Sequence, residues 1–207
     1  MSGLWPSLLT VRGADGLTIR LRGLRTRDRI EWEALRTANR EWLTPWEATS
    51  PYPHDQLRFR QLVRYYDGEA SAGRMQPFVI ECGARLVGQM HLFGITWGSM
   101  RGAAAGYWVA RELAGRGIAP LALAAVVDHA VHGLGLHRVE VNVRPENRAS
   151  ISVVTKLGFR EEGVRLRYLH IDGRWRDHRS FALTAEDLAG SSLVGRWNRR
   201  AVARRVD

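Results

Sequence analysis

Cysteine, lysine and metal-binding patterns are nearly missing from this chain of 207 residues. Its one cysteine, Cys82, excludes an internal disulfide and predicts a reduced, cytoplasmic compartment. Cys82 lies in the apolar run FVIEC, which favours a small buried side chain over a nucleophile. The pair His129 and His132 has no third ligand in the sequence, and no H-E-x-x-H motif is present, so no metal ion is predicted.

Long apolar runs are missing as well. No stretch approaches the roughly 20 residues that a membrane-spanning helix needs, and the richest run, 118–131, contains Asp128 and His129. The first ten residues, MSGLWPSLLT, lack the basic start of a signal peptide. The sequence therefore predicts no membrane partner.

Positive charge is in excess, with a formal net charge of +10 in which Lys156 is the one lysine. This balance fits contact with nucleic acid, ribosomes or a polyanionic ligand without choosing among them. The C-terminal GRWNRRAVARRVD carries part of the excess and is typical of a solvated tail or helix face. The length fits a single main domain. We expect an N-terminal extension over 1–16, the main domain over 17–185 and a basic tail or helix over 186–207.

Hydrophobic periodicity predicts the order strand, two helices, three strands, helix, strand, helix and two strands. The helices are expected over 25–43, 54–73, 118–135 and 147–159. The strands are expected over 17–24, 101–110 and 137–145, with hairpins over 76–95 and 164–184. This order indicates an α+β or mixed α/β fold around one sheet.

The segment RELAGRGIAPLALAAVV places Gly115 and Gly117 where a strand gives way to a helix. A dinucleotide fold needs G-x-G-x-x-G after its first strand, and a triphosphate loop needs G-x-x-x-x-G-K-[ST]; neither pattern is present here. Glycines at a helix N-terminus can still direct several N–H groups at one anion, with Arg116 as a further donor. A plain strand-to-helix turn explains the two glycines equally well.

Three blocks, in family order within residues 17–185, resemble the GCN5-related N-acetyltransferases (GNAT). The stretch 112–117 fits the coenzyme motif R/Q-x-x-G-x-G/A, except that Glu112 replaces the usual arginine or glutamine. RPENRASISVVTKLGF is similar to the N-x-x-S…GF pattern of the Rim branch, with Asn147 and Ser150 at its key positions. ANREWLTPWE, at 38–47, resembles a stretch of the RimJ/RimL-like enzymes, which acetylate the N-termini of ribosomal proteins.

The resemblance implies a GNAT fold with acetyl-CoA as co-substrate, no metal, and direct transfer to an amine in a ternary complex. The fold is expected to have a central, mostly antiparallel sheet of six to seven strands, about four flanking helices and a splayed pair of central strands. The implied coenzyme-binding residues are Trp108, Val109, Gly115, Arg116, Gly117, Ile118, Ala119, Asn147 and Ser150. Amides near Trp108 and Val109 would hold the pantetheine and the carbonyl, and the turn would hold the pyrophosphate.

The general base is harder to assign, because the fourth-strand glutamate of many relatives is missing from RGAAAGYWV. The glutamate and tyrosine of the RimI-type branch correspond here to Asn142 and Val154, which argues for the RimJ/RimL-like subtype. That subtype implies Ser150 as proton donor to the thiolate and Glu162 as base. An exposed loop carboxylate explains Glu162 equally well, whereas the coenzyme role is favoured for Ser150 over a helix-face hydroxyl that bonds its own backbone. Asn142 is a further candidate, to bind substrate or order a water.

The acceptor slot is expected beside the first helices and the last hairpin. Its candidates are Trp42, Trp46, Glu41 and Tyr168, with Glu47 and Asp55 nearby, although packing explains these residues almost as well. The acceptor would be a protein N-terminus, with ribosome association, and the enzyme a monomer or homodimer. The alternatives are a small amine such as an amino-sugar antibiotic, another acyl donor such as succinyl-CoA, a non-catalytic CoA sensor, and a nucleic-acid-associated protein.

Overall fold

The structure is a computed structural model that describes Trp5, residues 7–52 and residues 57–203. Asp55 and the outermost residues of the predicted extension and tail lie outside this part of the chain. Within it, eight strands form one sheet in the order β1-β2-β3-β4-β5-β6-β8-β7. The strands are β1 (Leu9–Arg12), β2 (Thr18–Gly23), β3 (Met75–Cys82), β4 (Arg85–Thr96), β5 (Gly102–Val109), β6 (Arg138–Val143), β7 (Arg160–Ile171) and β8 (Arg174–Thr184).

The helices lie on both faces of this sheet. The α-helices are α1 (Arg29–Ala38), α2 (Arg40–Leu43), α3 (Phe59–Ser71), α4 (Ile118–Asp128), α5 (Arg148–Leu157), α6 (Ala185–Leu188) and α7 (Leu193–Ala203), and a π-helical turn, His129–Gly133, continues α4. The larger core joins the sheet to α4, α5 and α7, and a smaller cluster joins it to α1 and α3. Of the seven strand pairings described, only that of β5 with β6 is parallel. The mixed α/β fold with a mostly antiparallel sheet is therefore confirmed.

The element counts are higher than the sequence predicted, within the residues that the structure describes. The eighth strand is β1, which adds to the sheet edge from the segment expected to be an extension. The extra helices are the single turns α2 and α6 and the C-terminal α7. The predicted helix over 25–43 is divided at Asn39, whose backbone leaves helical geometry and whose side-chain amide donates to the Leu35 carbonyl. Four-residue elements carry too little periodicity to be recognised from sequence.

Two helices are set by the residues at their ends. The helix α4 is apolar on every side, with nine buried residues, because the sheet, α5 and α7 surround it. The Asn147 side chain caps α5 by accepting from the Ser150 amide at 3.0 Å. Gly158, with φ of 84°, ends α5 in the left-handed region. These two residues fix both ends of α5, and burial on all sides holds α4; the two helices flank the opening described next.

Candidate active site

A gap opens in the middle of the sheet where β5 and β6 separate. Their parallel pairing covers only three positions, the last of which joins Ala104 to Glu140. Beyond this point β5 stays paired with β4 as far as Val109, and β6 stays paired with β8 as far as Val143. The two central strands thus diverge while each keeps its outer neighbour, which is the splayed pair that the resemblance implied.

The Val109 amide faces this gap. The Ala110 N–H donates to the Val87 carbonyl of β4 at 2.8 Å, and successive residues of a strand point their backbone groups to opposite sides. Val109 therefore points away from β4, and its carbonyl accepts from the Trp42 indole N–H at 3.2 Å. By the same alternation the Trp108 amide points toward β4. Of the two strand amides predicted to hold a carbonyl, Val109 is the one directed into the opening.

The turn after β5 presents a second set of backbone donors. Gly115 and Gly117 both have φ of 80°, a conformation that favours glycine, and α4 begins at Ile118. The first N–H groups of a helix have no acceptor within the helix. The Arg116 N–H bonds the Leu113 carbonyl at 3.4 Å, Pro120 has no N–H, and the Leu121 N–H bonds the Gly117 carbonyl at 3.2 Å. The amides of Gly117, Ile118 and Ala119 are left for a ligand. With the partial positive charge of the helix N-terminus, this turn suits an anion.

A cavity of about 820 Å³ joins this turn to the gap. The structure brings all the predicted coenzyme-binding residues to its walls: Trp108, Val109, Gly115, Arg116, Gly117, Ile118, Ala119, Asn147 and Ser150. Trp42, predicted for the acceptor slot, lines this cavity instead. Two further wall residues, Asp15 and Trp197, come from the chain ends and were not foreseen.

A second cavity, of about 370 Å³, lies on the α1 and α3 face of the sheet. We call it the acceptor cavity, and the larger one the coenzyme cavity. The two share six wall residues: Leu43, Trp46, Tyr107, Trp108, Asn147 and Ser150. They therefore meet at the gap between β5 and β6, so that ligands could approach each other there from opposite faces.

Two hydroxyl groups lie at this meeting point. Ser150 is in the first turn of α5, and the Tyr107 hydroxyl donates to the Ser150 carbonyl at 3.5 Å. Burial raises the pKa of Tyr107, so its hydroxyl keeps its proton at neutral pH. The contact between β5 and α5 that positions Tyr107 has no local sequence signal. Both residues line the coenzyme-side and acceptor-side walls of the gap.

The predicted acceptor residues have different positions. Trp46 lines both cavities and stacks under the Arg144 guanidinium, which donates to the Pro45 carbonyl at 2.6 Å. Tyr168 lines the acceptor cavity, and its hydroxyl accepts from Arg165 at 3.1 Å. Glu41 is exposed on α2 and lines neither cavity. The structure thus brings Trp46 and Tyr168, but not Glu41, to the acceptor cavity.

A different carboxylate, that of Glu47, does line the acceptor cavity. It accepts from Arg36 at 2.5 Å, and the Arg36 guanidinium also stacks over the Trp108 ring at 5.4 Å from its centroid. Arg144 is the third charged residue in this wall. Two cations and one paired carboxylate therefore make up the fixed charge of the acceptor cavity among the described residues.

The two candidates for base and water-ordering residue lie apart. Asn142 lines the acceptor cavity, and its side-chain oxygen accepts from the Ser180 hydroxyl at 2.7 Å. Glu162 lines neither cavity and pairs with Arg138 and Arg160 at the start of β7. The hydrogen bond from Arg138 lowers the pKa of Glu162, which makes it a weaker base. Arg160 is two residues before Glu162 in the same strand, whereas Arg138 comes from β6 and has no local sequence signal.

Two imidazoles that the sequence analysis overlooked line the acceptor cavity from β4 and β8. Burial lowers the pKa of His91 to about 4 and also lowers the pKa of His178, so both rings are neutral at pH 7. The His178 Nδ1 lies 3.0 Å from the Arg176 carbonyl, which can only accept, so Nδ1 carries the proton and Nε2 the lone pair. Alternation along the strands places both rings on this face, but neither belongs to a motif.

Metal ligands do not cluster in the described residues, where no three His, Cys, Asp or Glu side chains are grouped. Nor does any helix in Trp5, 7–52 or 57–203 have the length and apolar character needed to cross a membrane.

Comparison with known proteins links this geometry to acetyl transfer. Residues 18–160 match the family described as the acetyltransferase (GNAT) domain. The chain is 30% identical over 182 residues to the ribosomal protein uS5-alanine N-acetyltransferase of Escherichia coli K12, a match covering 84% of this chain and 90% of the relative. It is 40% identical over 103 residues to the probable N-acetyltransferase YjcK of Bacillus subtilis, of which the match spans 57%. The solved structure of Mycobacterium smegmatis RimJ, in complex with CoA-disulfide, superposes with a TM-score of 0.89 at 40% identity and covers 97% of this chain and 98% of that one.

Proposed function

The chain belongs to the GNAT acetyltransferases, which use acetyl-CoA as co-substrate, and from this premise we propose that it acetylates the N-terminal α-amine of a ribosomal protein. The Escherichia coli relative that the chain matches over 90% of its length is named as an alanine N-acetyltransferase of ribosomal protein uS5. Such an acceptor would place the enzyme in the cytoplasm, next to ribosomes.

The observation that carries the proposal is the meeting of the two cavities at the gap between β5 and β6. The coenzyme cavity contains the anion-binding turn, and the acceptor cavity opens on the other face of the sheet. Acetyl-CoA would place its pyrophosphate at the turn and its thioester at the Val109 amide. The amine would reach the same carbonyl from the acceptor cavity, and holding both reactants in this way supplies much of the rate.

The reaction then needs three proton or charge adjustments. The neutral amine attacks the thioester carbon, and the Val109 N–H stabilises the negative charge that develops on the carbonyl oxygen. The carbon–sulfur bond breaks, and the departing thiolate takes a proton from Ser150 or Tyr107. The proton lost by the amine goes to the Nε2 lone pair of His178 or to water. His91 is a weaker base, because its pKa is about 4 and its Nε2 lies 3.4 Å from the Gln89 side-chain nitrogen. Glu162, predicted as base, stays outside this scheme because of its distance from both cavities.

The charge of the acceptor cavity favours an α-amine over a polyamine. An α-amine has a pKa of about 8, against about 10.4 for a lysine-type amine, so much more of it is neutral at pH 7. Arg36 is paired with Glu47 and Arg144 with Glu146, so the described walls of the cavity offer a polycation no free carboxylate. A second candidate, polyamine acetylation, is suggested by the spermidine N(1)-acetyltransferase of Escherichia coli K12, 29% identical over 119 residues. The fixed charge of the cavity argues against it.

The experiment combines purified protein with acetyl-CoA and synthetic peptides bearing ribosomal-protein N-termini. Matched controls are the same peptides with blocked N-termini but free lysines, and spermidine. We expect stoichiometric thiol release and a mass gain of one acetyl group on unblocked peptides alone. Transfer to spermidine or to lysines at a comparable kcat/KM would contradict the α-amine proposal. Tight acetyl-CoA binding without transfer to any peptide would favour the CoA-sensor alternative.

A further inference from the structure

Both ends of the described chain reach the coenzyme cavity from outside the family-matched residues 18–160. Asp15 lies in the turn between β1 and β2, and Trp197 lies on α7. A side chain built on Gly117 would have the Trp197 Cζ2 at 3.9 Å and the Asp15 Oδ2 at 4.0 Å. The indole and the carboxylate thus stand beside the turn that starts α4.

The α7 helix is fixed against α4 by a carboxylate cap. The Asp128 carboxylate, at the end of α4, accepts from the Leu193 and Val194 amides at 2.7 and 3.0 Å and from the Ser192 hydroxyl at 2.6 Å. A carboxylate at a helix N-terminus satisfies free N–H groups and complements the helix dipole. Leu193 is 1% exposed, which adds apolar packing to the cap.

A single amide joins α7 to the N-terminal turn. The Asn198 side chain accepts from the Ala14 amide at 2.9 Å and donates to the Arg12 carbonyl at 3.1 Å. Asn198 is next to Trp197 in the helix, so this pair of bonds holds Asp15 and Trp197 at the same end of the cavity. The turn that contains Asp15 and the helix that contains Trp197 therefore hold each other in position.

The arginines of α7 serve this placement as well. Arg196 donates to the carbonyls of Asp187 and Leu188 at 2.7 and 2.5 Å, and Arg200 donates to the Lys156 carbonyl at 2.7 Å. These guanidinium groups bind the protein's own backbone, which is unlike a free tail that reads an external polyanion. Of the predicted alternatives, a basic tail or a helix, residues 193–203 form the helix, and it is docked on the protein.

We propose that Trp197 forms a wall of the coenzyme site that packs against the adenosine end of acetyl-CoA, which makes α7 a coenzyme-binding element. This inference rests on the assignment of acetyl-CoA to the cavity under the proposed function. The pyrophosphate at the α4 turn places adenosine next to it, and an indole offers a flat apolar surface to a base. Asp15 repels phosphate but accepts from ribose or amino donors, while Arg116, Arg148 and Lys156 in the same wall attract the phosphates.

The test compares two donors that differ at that end. Acetyl-CoA contains the adenosine, and S-acetylpantetheine lacks both adenosine and pyrophosphate. Trp197→Ala should raise the Kd of acetyl-CoA about ten-fold, because loss of one base–aromatic stack has this order of effect. Its kcat/KM with S-acetylpantetheine should equal that of the wild type. Trp197→Phe should restore most of the acetyl-CoA affinity.

Trp175→Ala is the matched control, because Trp175 is 56% exposed on β8 and lines neither cavity. It should leave both donors unaffected. The inference would be overturned if Trp197→Ala weakened the use of both donors equally, or if it left the Kd of acetyl-CoA unchanged. If Trp197→Ala does not fold, Trp197→Leu is used instead, because it keeps apolar packing on α4. The same rise in the Kd of acetyl-CoA and the same unchanged kcat/KM with S-acetylpantetheine are expected. Failure of the wild type to bind acetyl-CoA would instead refute the proposed function.

Discussion

Gly88 lies where β4 passes closest to the atoms proposed to hold the thioester. It pairs with Val109 across the two strands, and a Cβ on Gly88 would lie 2.2 Å from the Trp108 carbonyl oxygen and 3.0 Å from the Val109 Cα. Both neighbours are backbone atoms, which cannot rotate away. Gly88→Ala therefore requires the strands to separate by an amount on the order of 1 Å at the Val109 amide.

The cost should appear in both stability and rate. Overpacking of this kind destabilises by about 2 kcal/mol, which lowers the Tm of a domain of this size by about 6 °C. A 1 Å misplacement of a reacting group can reduce turnover about 100-fold. The Gly88→Ala variant should therefore lose most of its kcat in the thiol-release assay while keeping acetyl-CoA affinity within about three-fold, because the α4 turn carries the anion contacts.

Gly102→Ala is the control in the same sheet. Its Cβ would meet the Met100 side chain at 3.5 Å and the Arg138 carbonyl oxygen at 3.7 Å, which are ordinary van der Waals contacts, and Met100 is 52% exposed. We expect wild-type Tm and kcat for this variant. Normal turnover of Gly88→Ala, or an equal loss in Gly102→Ala, would show that the spacing of β4 and β5 at Val109 does not set the rate.

Three further predictions concern protons. Ser150→Ala should lower kcat about 100-fold while calorimetry shows an unchanged Kd for acetyl-CoA. An unchanged kcat would assign protonation of the thiolate to Tyr107, and Tyr107→Phe should then show the loss of kcat. Glu162→Gln should keep kcat within about two-fold, and a large loss at constant Tm would restore Glu162 as base. The pKa of His91 is about 4 in the folded chain against 6.5 ordinarily, so the unfolded chain binds more protons between these values and stability falls as pH falls. The loss should approach about 3 kcal/mol by pH 4 in denaturant titrations, and a His91→Gln variant with the same pH slope would contradict this.

The coenzyme cavity could be predicted from the sequence because its signals are local. A glycine pair before an apolar helix and an asparagine three residues before Ser150 fix backbone geometry within one turn of the chain. The elements predicted by periodicity occur in the predicted order for the same reason. Elements of fewer than five residues, such as β1 and α2, were not predicted, because so short a stretch shows no clear hydrophobic periodicity.

The acceptor cavity could not be predicted in the same way, because its walls come from strands and helices far apart in sequence. His91 and His178 face the same space only after β4, β5, β6 and β8 have paired in register. Glu41 and Glu47 are six residues apart, but α2 and the turn after it direct only Glu47 to the cavity. Partners such as Arg138, which binds Glu162, depend on tertiary register.

The separation of β5 from β6 also gives an interior strand the character of an edge strand. Open strand edges invite pairing with other chains, and proteins usually cover them. Here the Trp42 indole N–H donates a hydrogen bond to the Val109 carbonyl, so a side chain from α2 blocks the place where a strand from another chain would pair. A bound pantetheine arm would cover the same edge. Occupancy by acetyl-CoA should therefore slow hydrogen exchange at the Val109 amide and reduce aggregation on heating, and the enzyme's resistance to self-association becomes linked to its supply of co-substrate.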